Sequence, residues 1–159
     1  LKTNMVNLIG TYECTLDSKG RMLLPSGLKK QMDTLLQEGF VLKRSVFQPC
    51  LELHPMSEWN QVMGKINKLN RFVKKNNDFI RQFTAGLKNV EIDTSGRLQI
   101  SKDLIQFAKL EKNIVVAAAI NVIEIWDKNL YEDSVNVNDL DFANLAEEVM
   151  GNISEDELS

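Results

Sequence analysis

The same short pattern occurs twice in this chain, and a fold must accommodate both copies. Gly10-Thr-Tyr-Glu-Cys-Thr-Leu-Asp17-Ser-Lys-Gly20-Arg21-Met-Leu-Leu24 parallels Gly86-Leu-Lys-Asn-Val-Glu-Ile-Asp93-Thr-Ser-Gly96-Arg97-Leu-Gln-Ile100. The Gly, Asp, Gly and Arg positions all recur at one spacing, 76 residues (17 to 93). Further on, Leu51-Glu-Leu53 recurs as Ile123-Glu-Ile125, 72 residues later (51 to 123). The length difference falls in Met32–Gly39, before Phe40, where a connection tolerates it.

Each copy predicts the same local structure. Alternating residues lead up to the aspartate, and Leu16 and Leu23 flank a short polar break, the pattern of a β-hairpin. Asp17 suits a turn because its carboxylate accepts nearby backbone N–H groups, and Gly20 suits the left-handed position of a bulged loop. Asp93 and Gly96 repeat this chemistry. Pro25-Ser26 and Ser101 then read as helix starts with capping serines. Leu28, Met32 and Leu35 follow at helical spacing, as do Leu104, Ile105 and Ala108 in the second copy. Two strands close each copy: Phe40-Val-Leu42 with Cys50–Leu53, and Ile114–Ile120 with Val122–Trp126. The order is β-β-α-β-β, twice. A repeat of some forty-odd residues buries little apolar surface alone. Two copies about a pseudo-twofold axis, with strands interleaved, share one core.

The region between the copies has a different character. Trp59, Val62, Met63, Ile66 and Leu69 predict an amphipathic helix of about four turns, broken at Asn76-Asn77. Phe79, Ile80 and Phe83 predict a second helix ending at Gly86. After the second copy, Leu140, Phe142, Leu145 and Val149 outline a terminal helix stopped by Gly151-Asn152, with a disordered acidic remainder. The expected division is 11–56 for the first repeat, 57–85 for the connector, 87–130 for the second repeat, and 131–159 for the terminal helix and acidic tail.

Charge is unevenly placed. The net charge is −3, but nine of the 22 acids and none of the 19 Lys and Arg follow Tyr131. Residues 1–131 are therefore basic, and phosphate binding depends on local field rather than overall charge. No apolar run approaches membrane-spanning length, so no membrane partner is expected. The opening Leu1-Lys-Thr-Asn-Met5 does not read as a secretory signal, and Leu1 is not an ordinary initiator. Cys14, Cys50 and His54 are too few for a structural zinc site or a disulfide framework, and read as reduced thiols and a packing or solvent-facing histidine. No metal or cofactor is expected.

The candidate chemistry lies in the doubled Asp-x-x-x-Arg. Turn formation explains Asp17, Gly20, Asp93 and Gly96, but not the arginine that follows each glycine. The planar fork of Arg21 or Arg97 suits phosphate or a guanine edge. The plainer alternative is an Asp–Arg pair bracketing the turn, worth little when exposed. The first turn also carries Lys19, where the second has Ser95, so the first is expected to make the larger electrostatic contribution. Enzymatic readings are poor: there is no phosphate-cradling Gly-rich loop and no nucleophile elbow. A metal-dependent hydrolase using Asp17 and Asp93 is a weak alternative, because turn capping already accounts for both. No catalytic residue is assigned.

With those residues in view, the chain resembles the MraZ family, whose halves are similar to the swapped-hairpin modules of AbrB-type regulators. The resemblance spans roughly residues 8–131. It rests on Leu16-Asp17-Ser-Lys-Gly-Arg21, Phe40-Val-Leu-Lys-Arg44, Cys50-Leu-Glu-Leu-His-Pro55, Glu58-Trp59, Asp93-Thr-Ser-Gly-Arg97, Leu110-Glu-Lys and Glu124-Ile-Trp126. It implies an α+β fold in which the two repeats form a pseudo-twofold swapped-hairpin β-barrel with peripheral helices. It also implies a cytoplasmic, nucleoid-associated regulator that represses the division and cell-wall gene cluster, including its own promoter. The implied partners are double-stranded promoter DNA with short direct repeats, and further copies of the chain in a homo-oligomeric ring. Lys19, Arg21 and Arg97 are the implied DNA-binding residues. An antitoxin-like module that binds a partner protein is the alternative within the same fold.

Overall fold

A computed structural model describes residues 7–151. The opening segment and the acidic remainder discussed above lie outside the described residues. The chain divides into two compact units at Lys128. In the first unit the strands are β1 (Thr11–Thr15), β2 (Arg21–Leu23), β3 (Phe40–Arg44), β4 (Leu51–Pro55), β5 (Lys88–Val90), β6 (Arg97–Gln99), β7 (Asn113–Ala119) and β8 (Val122–Asp127). Helices α1 (Ser26–Gln31), α2 (Met56–Ile66), α3 (Lys74–Phe83) and α4 (Lys102–Ala108) connect them.

Strand pairing expresses the repeat directly. Six strands form one antiparallel sheet in the order β1-β7-β8-β4-β3-β5, while β2 and β6 form a separate ribbon. Exchanging each strand for its counterpart in the other copy reverses that order without changing it. The hairpin arms are swapped: β1 pairs with β7 of the other copy, and β5 pairs with β3. Two pairings sit on the symmetry axis. Across β4 and β8, Glu52 faces Glu124, and across β2 and β6, Met22 faces Leu98.

Like charges directly opposite one another in a sheet are unfavourable, and each glutamate at the axis has its own answer. Glu52 Oε1 accepts from His54 Nε2 at 3.0 Å, and Glu124 Oε1 accepts from Trp126 Nε1 at 3.0 Å. His54 and Trp126 are themselves repeat counterparts, at the 72-residue spacing (54 to 126). Burial works against ionisation of Glu52, but the His54 hydrogen bond and the nearby Lys43 outweigh it and hold the carboxyl below its ordinary range. His54 also packs edge-on against Trp59, with ring centroids 5.4 Å apart. Trp59 and Trp126 are both buried, as core packing requires.

The core lies between the sheets and the short helices. Leu28 and Met32 from the first copy, Leu104 and Ala108 from the second, and Phe40, Leu42, Leu51, Leu53, Ile114, Val116, Ile123 and Ile125 from the sheet form one buried cluster. The ladders end at β1 and β5, and only isolated bridges, Leu16 to Met22 and Ile92 to Leu98, join the two arms of each hairpin. The architecture is thus a mixed α+β fold with two sheets, peripheral helices and swapped-hairpin-like topology. Strand ladders among the described residues do not close the expected barrel.

The connector differs from its sequence reading. The first helix stops at Ile66, after about three turns, and Asn76-Asn77 lie inside α3 instead of breaking a helix. The cause is local hydrogen bonding. Asn70 Oδ1 accepts from Phe72 N at 3.0 Å, and Asn76 Nδ2 and Asn77 Nδ2 donate back to the carbonyls of Asn70 and Arg71. These asparagines fasten the entry to α3. The extra residues of the first copy form a short 3-10 helix, Asp33–Glu38. At α1 and α4 the expected serine caps make no side-chain capping bond.

The last helices are α5 (Lys128–Val135) and α6 (Asp139–Met150). In the second unit Asn138 caps α6, its side-chain oxygen accepting from Asp141 N at 2.8 Å. Leu140, Phe142, Leu145 and Val149, the expected apolar positions, are exposed. No helix among the described residues is long and apolar enough to cross a membrane.

Leu98 is fully buried at the symmetry axis of the ribbon. We expect Leu98→Ala to lose about 2–5 kcal/mol of stability in urea unfolding. A loss under about 1 kcal/mol would contradict this account of the core.

Candidate nucleic-acid interface

Each turn is built by its aspartate. Asp17 Oδ1 accepts from the backbone N–H groups of Lys19 and Arg21, both at 2.9 Å, while Gly20 N donates to Asp17 O at 3.0 Å. Asp93 does the same with Ser95 N and Arg97 N, both at 2.9 Å, and Gly96 N donates to Asp93 O at 2.9 Å. Gly20 and Gly96 take φ of 79° and 86°, the left-handed region that disfavours a Cβ.

Each arginine pairs with its own aspartate. Arg21 Nε donates to Asp17 Oδ2 at 2.9 Å, and the looser Arg97 Nε to Asp93 Oδ2 distance is 3.6 Å. Both side chains are substantially exposed, at 39% for Arg21 and 49% for Arg97. Exposed pairs of this kind contribute little stability. They do orient the guanidinium: the Arg21 pair engages Nε, and its two η nitrogens have no partner among the described residues. Those nitrogens keep the donors that a bidentate contact needs.

The ribbon places both arginines on one face. Across β2 and β6 the register sets Arg21 opposite Gln99 and Leu23 opposite Arg97. Directly paired residues share a face, so Arg21, Leu23, Arg97 and Gln99 lie together, away from buried Met22 and Leu98. Arg21 and Arg97 are diagonal neighbours, roughly 7–8 Å apart along such a ribbon. Asp17, Lys19 and Asp93 are exposed at the turns, and Gly20 and Gly96 are buried beneath them.

Two side chains near the turns have no signal in the repeat pattern. Gln99 Nε2 donates to Lys19 O at 2.7 Å, bracing the first turn from the second copy. Lys29 Nζ donates to Thr94 O at 3.2 Å, reaching the second turn from the first copy. Strand exchange brings both into place, so neither is legible within one copy. Cys14 and Cys50 are free thiols whose pKa burial raises, to about 12 for Cys50. Neither lies in a turn.

The turn hydrogen bonds also set a pH dependence. The Arg21 backbone N–H, followed by the Arg21 side chain and the Lys19 N–H, holds the Asp17 carboxyl below its ordinary range; for Asp93 the leading cause is the Arg97 N–H. A depressed carboxyl pKa contributes stability above the unfolded value, about 3.9, and that contribution disappears as pH falls through the folded value. We expect Asp17→Asn to lower the melting temperature at pH 7 and the gap from the parent to close below about pH 4. A gap of constant size across that range would contradict the turn electrostatics.

Comparison with known proteins agrees with this architecture. The family described as "MraZ protein", with the further description "antitoxin-like", matches twice, at residues 8–82 and 83–153. A transcriptional regulator MraZ from Flavobacterium psychrophilum is 64% identical over 153 residues, covering 96% of this chain and 98% of the relative. One from Christiangramia forsetii is 64% identical over 148 residues, with 93% and 96% covered. The match to the Cytophaga hutchinsonii protein of the same name is 38% identical over 141 residues, with 89% and 93% covered. Two consecutive family matches, near-complete coverage and a twofold-related pair of Asp–Arg turns lead to one assignment: this chain belongs to the MraZ family, a family of transcriptional regulators and not of enzymes.

Proposed function

We propose that the protein is a sequence-specific DNA-binding regulator that represses the division and cell-wall gene cluster, including its own promoter. The observation that carries this reading is the β2–β6 ribbon, which puts Arg21 and Arg97 on one outward face. A two-stranded ribbon fits the major groove of B-DNA, where an arginine fork pairs with guanine O6 and N7. Lys19 adds a phosphate contact, which gives affinity and salt dependence without sequence information. The names of the close relatives, all transcriptional regulators, point the same way.

One ribbon offers few contacts. A homo-oligomeric ring presenting several ribbons to short direct repeats makes later contacts intramolecular and multiplies a weak affinity. Residues 11–56 and 87–130 act as the paired binding repeats, the 57–85 connector joins them, and the protein works on the nucleoid in the cytoplasm. The antitoxin-like description of the family favours one second reading, a module that neutralises a partner protein. Co-purification with a small toxin that competes with promoter DNA would favour that reading.

Arg21→Ala should abolish preference for promoter over scrambled duplex, lowering specific affinity at least tenfold. The oligomer and the melting temperature should stay nearly as in the parent, since the Asp17 pair is exposed. Arg97→Ala should weaken binding less. Fluorescence anisotropy with both duplexes, beside thermal melting, checks this. Parent-like promoter preference in Arg21→Ala would remove the proposed role, and unfolding would make the arginine structural.

A further inference from the structure

The two turns differ in charge as read along the chain: the first contains Lys19, and the equivalent second position is Ser95. The folded chain restores the balance. Lys29, on α1 of the first copy, lies across the second turn. A Cβ built on Gly96 would meet Lys29 Cδ at 3.3 Å and Nζ at 3.6 Å, and Nζ donates to Thr94 O at 3.2 Å. The repeat equivalent of Lys29 is Ile105, 76 residues on (29 to 105). Ile105 occupies the mirrored place over the first turn, its Cδ1 lying 3.1 Å from a Cβ built on Gly20. Each turn is therefore covered by α1 or α4 of the other copy. One cover is a cation and the other is apolar.

We infer that Lys29, together with the Thr94–Ser95 turn it overlies, forms a phosphate subsite for a nucleic-acid backbone, supplied across the swap where the second loop lacks a lysine. This deepens the DNA-binding reading and rests on it. A lysine ammonium has three donors, and Thr94 O uses one. No carboxylate lies within 4 Å of Nζ among the described residues, so the charge is not neutralised within the fold. Lys29 and Ser95 also line one open groove of about 700 Å³, together with Thr11, Thr15, Ser26 and Glu13, whose carboxylate is paired with Lys128 Nζ at 2.6 Å; the groove leaves room for a backbone beside the ammonium. Each turn thus presents one arginine and one lysine. In the first turn the lysine is in the loop, and in the second it comes from the partner repeat's helix.

Salt dependence distinguishes a phosphate contact from a brace for the turn. Binding of the full chain to promoter and scrambled duplexes is measured across salt concentrations for the parent, K29Q, K19Q, K29R and the double variant K29Q/S95K. Each lost phosphate contact lowers the slope of log affinity against log salt by about 0.9. K29Q and K19Q should each lower it by that amount per engaged subunit, on both duplexes alike, with the promoter preference kept. K29R should restore the parent slope, as should K29Q/S95K, which returns the cation to the exposed loop. A parent-like slope in K29Q overturns the inference, as does a lowered slope that K29Q/S95K fails to recover, because a brace is not replaced by a loop lysine. If K29Q does not fold, K29Q/S95K supplies the deciding slope, or its own failure to fold makes Lys29 structural and overturns the inference. A parent with no salt-dependent duplex binding would instead defeat the DNA-binding reading itself.

Discussion

Two backbone hydrogen bonds tie the halves of the molecule together at the turns. Leu24 N donates to Gly96 O at 2.7 Å, and Ile100 N donates to Gly20 O at 2.8 Å. They are twofold equivalents, and they flank the three-residue pairing of β2 with β6. At Gly20 the approach is close enough to require glycine, because a Cβ there would stand 2.8 Å from the backbone oxygen of Ile100. With the ribbon in place, Met22 and Leu98 close the core from one side, and the outer face presents Arg21, Arg97 and Gln99 beside the exposed Leu23. Neither repeat completes that arrangement alone.

The same exchange distributes charge. The aspartates satisfy the turn amides, hold each arginine by its Nε and leave the rest of the fork open. The carboxylates partly offset the arginines, so one copy carries only a modest positive field at its turns. Such a surface suits repeated weak contact better than a single tight one. The nine acids after Tyr131 make the total charge negative, while residues 1–131 carry a net positive charge.

The turns were legible in the sequence because their chemistry is local: Asp17 and Gly20, or Asp93 and Gly96, sit within five consecutive residues and specify one conformation. The repeat and the alternation of the strands were legible for the same reason. What the sequence does not show depends on non-local placement. Lys29 belongs to the last turn of α1 in its own copy, and only strand exchange carries it over Gly96. In the sequence Glu52 and Glu124 are only the middle residues of a recurring triplet, and the β4–β8 pairing makes them opposed charges that His54 and Trp126 answer. Asn76 and Asn77 were misread because an asparagine that ends one helix and one that anchors the next have the same composition signal. The hydrogen bonds to Asn70 and Arg71 decide between them.

In the proposed function both turns meet the same DNA together. Photo-cross-linking from single cysteines at the exposed positions Ser18 and Ser95, each bearing a short photoreactive group, tests this most directly. With the DNA upstream of the protein's own gene, both positions should cross-link to nearby nucleotides within one repeat, and excess unlabelled promoter should compete far better than scrambled duplex. Cross-links from neither position, or equal competition by the scrambled duplex, would contradict it.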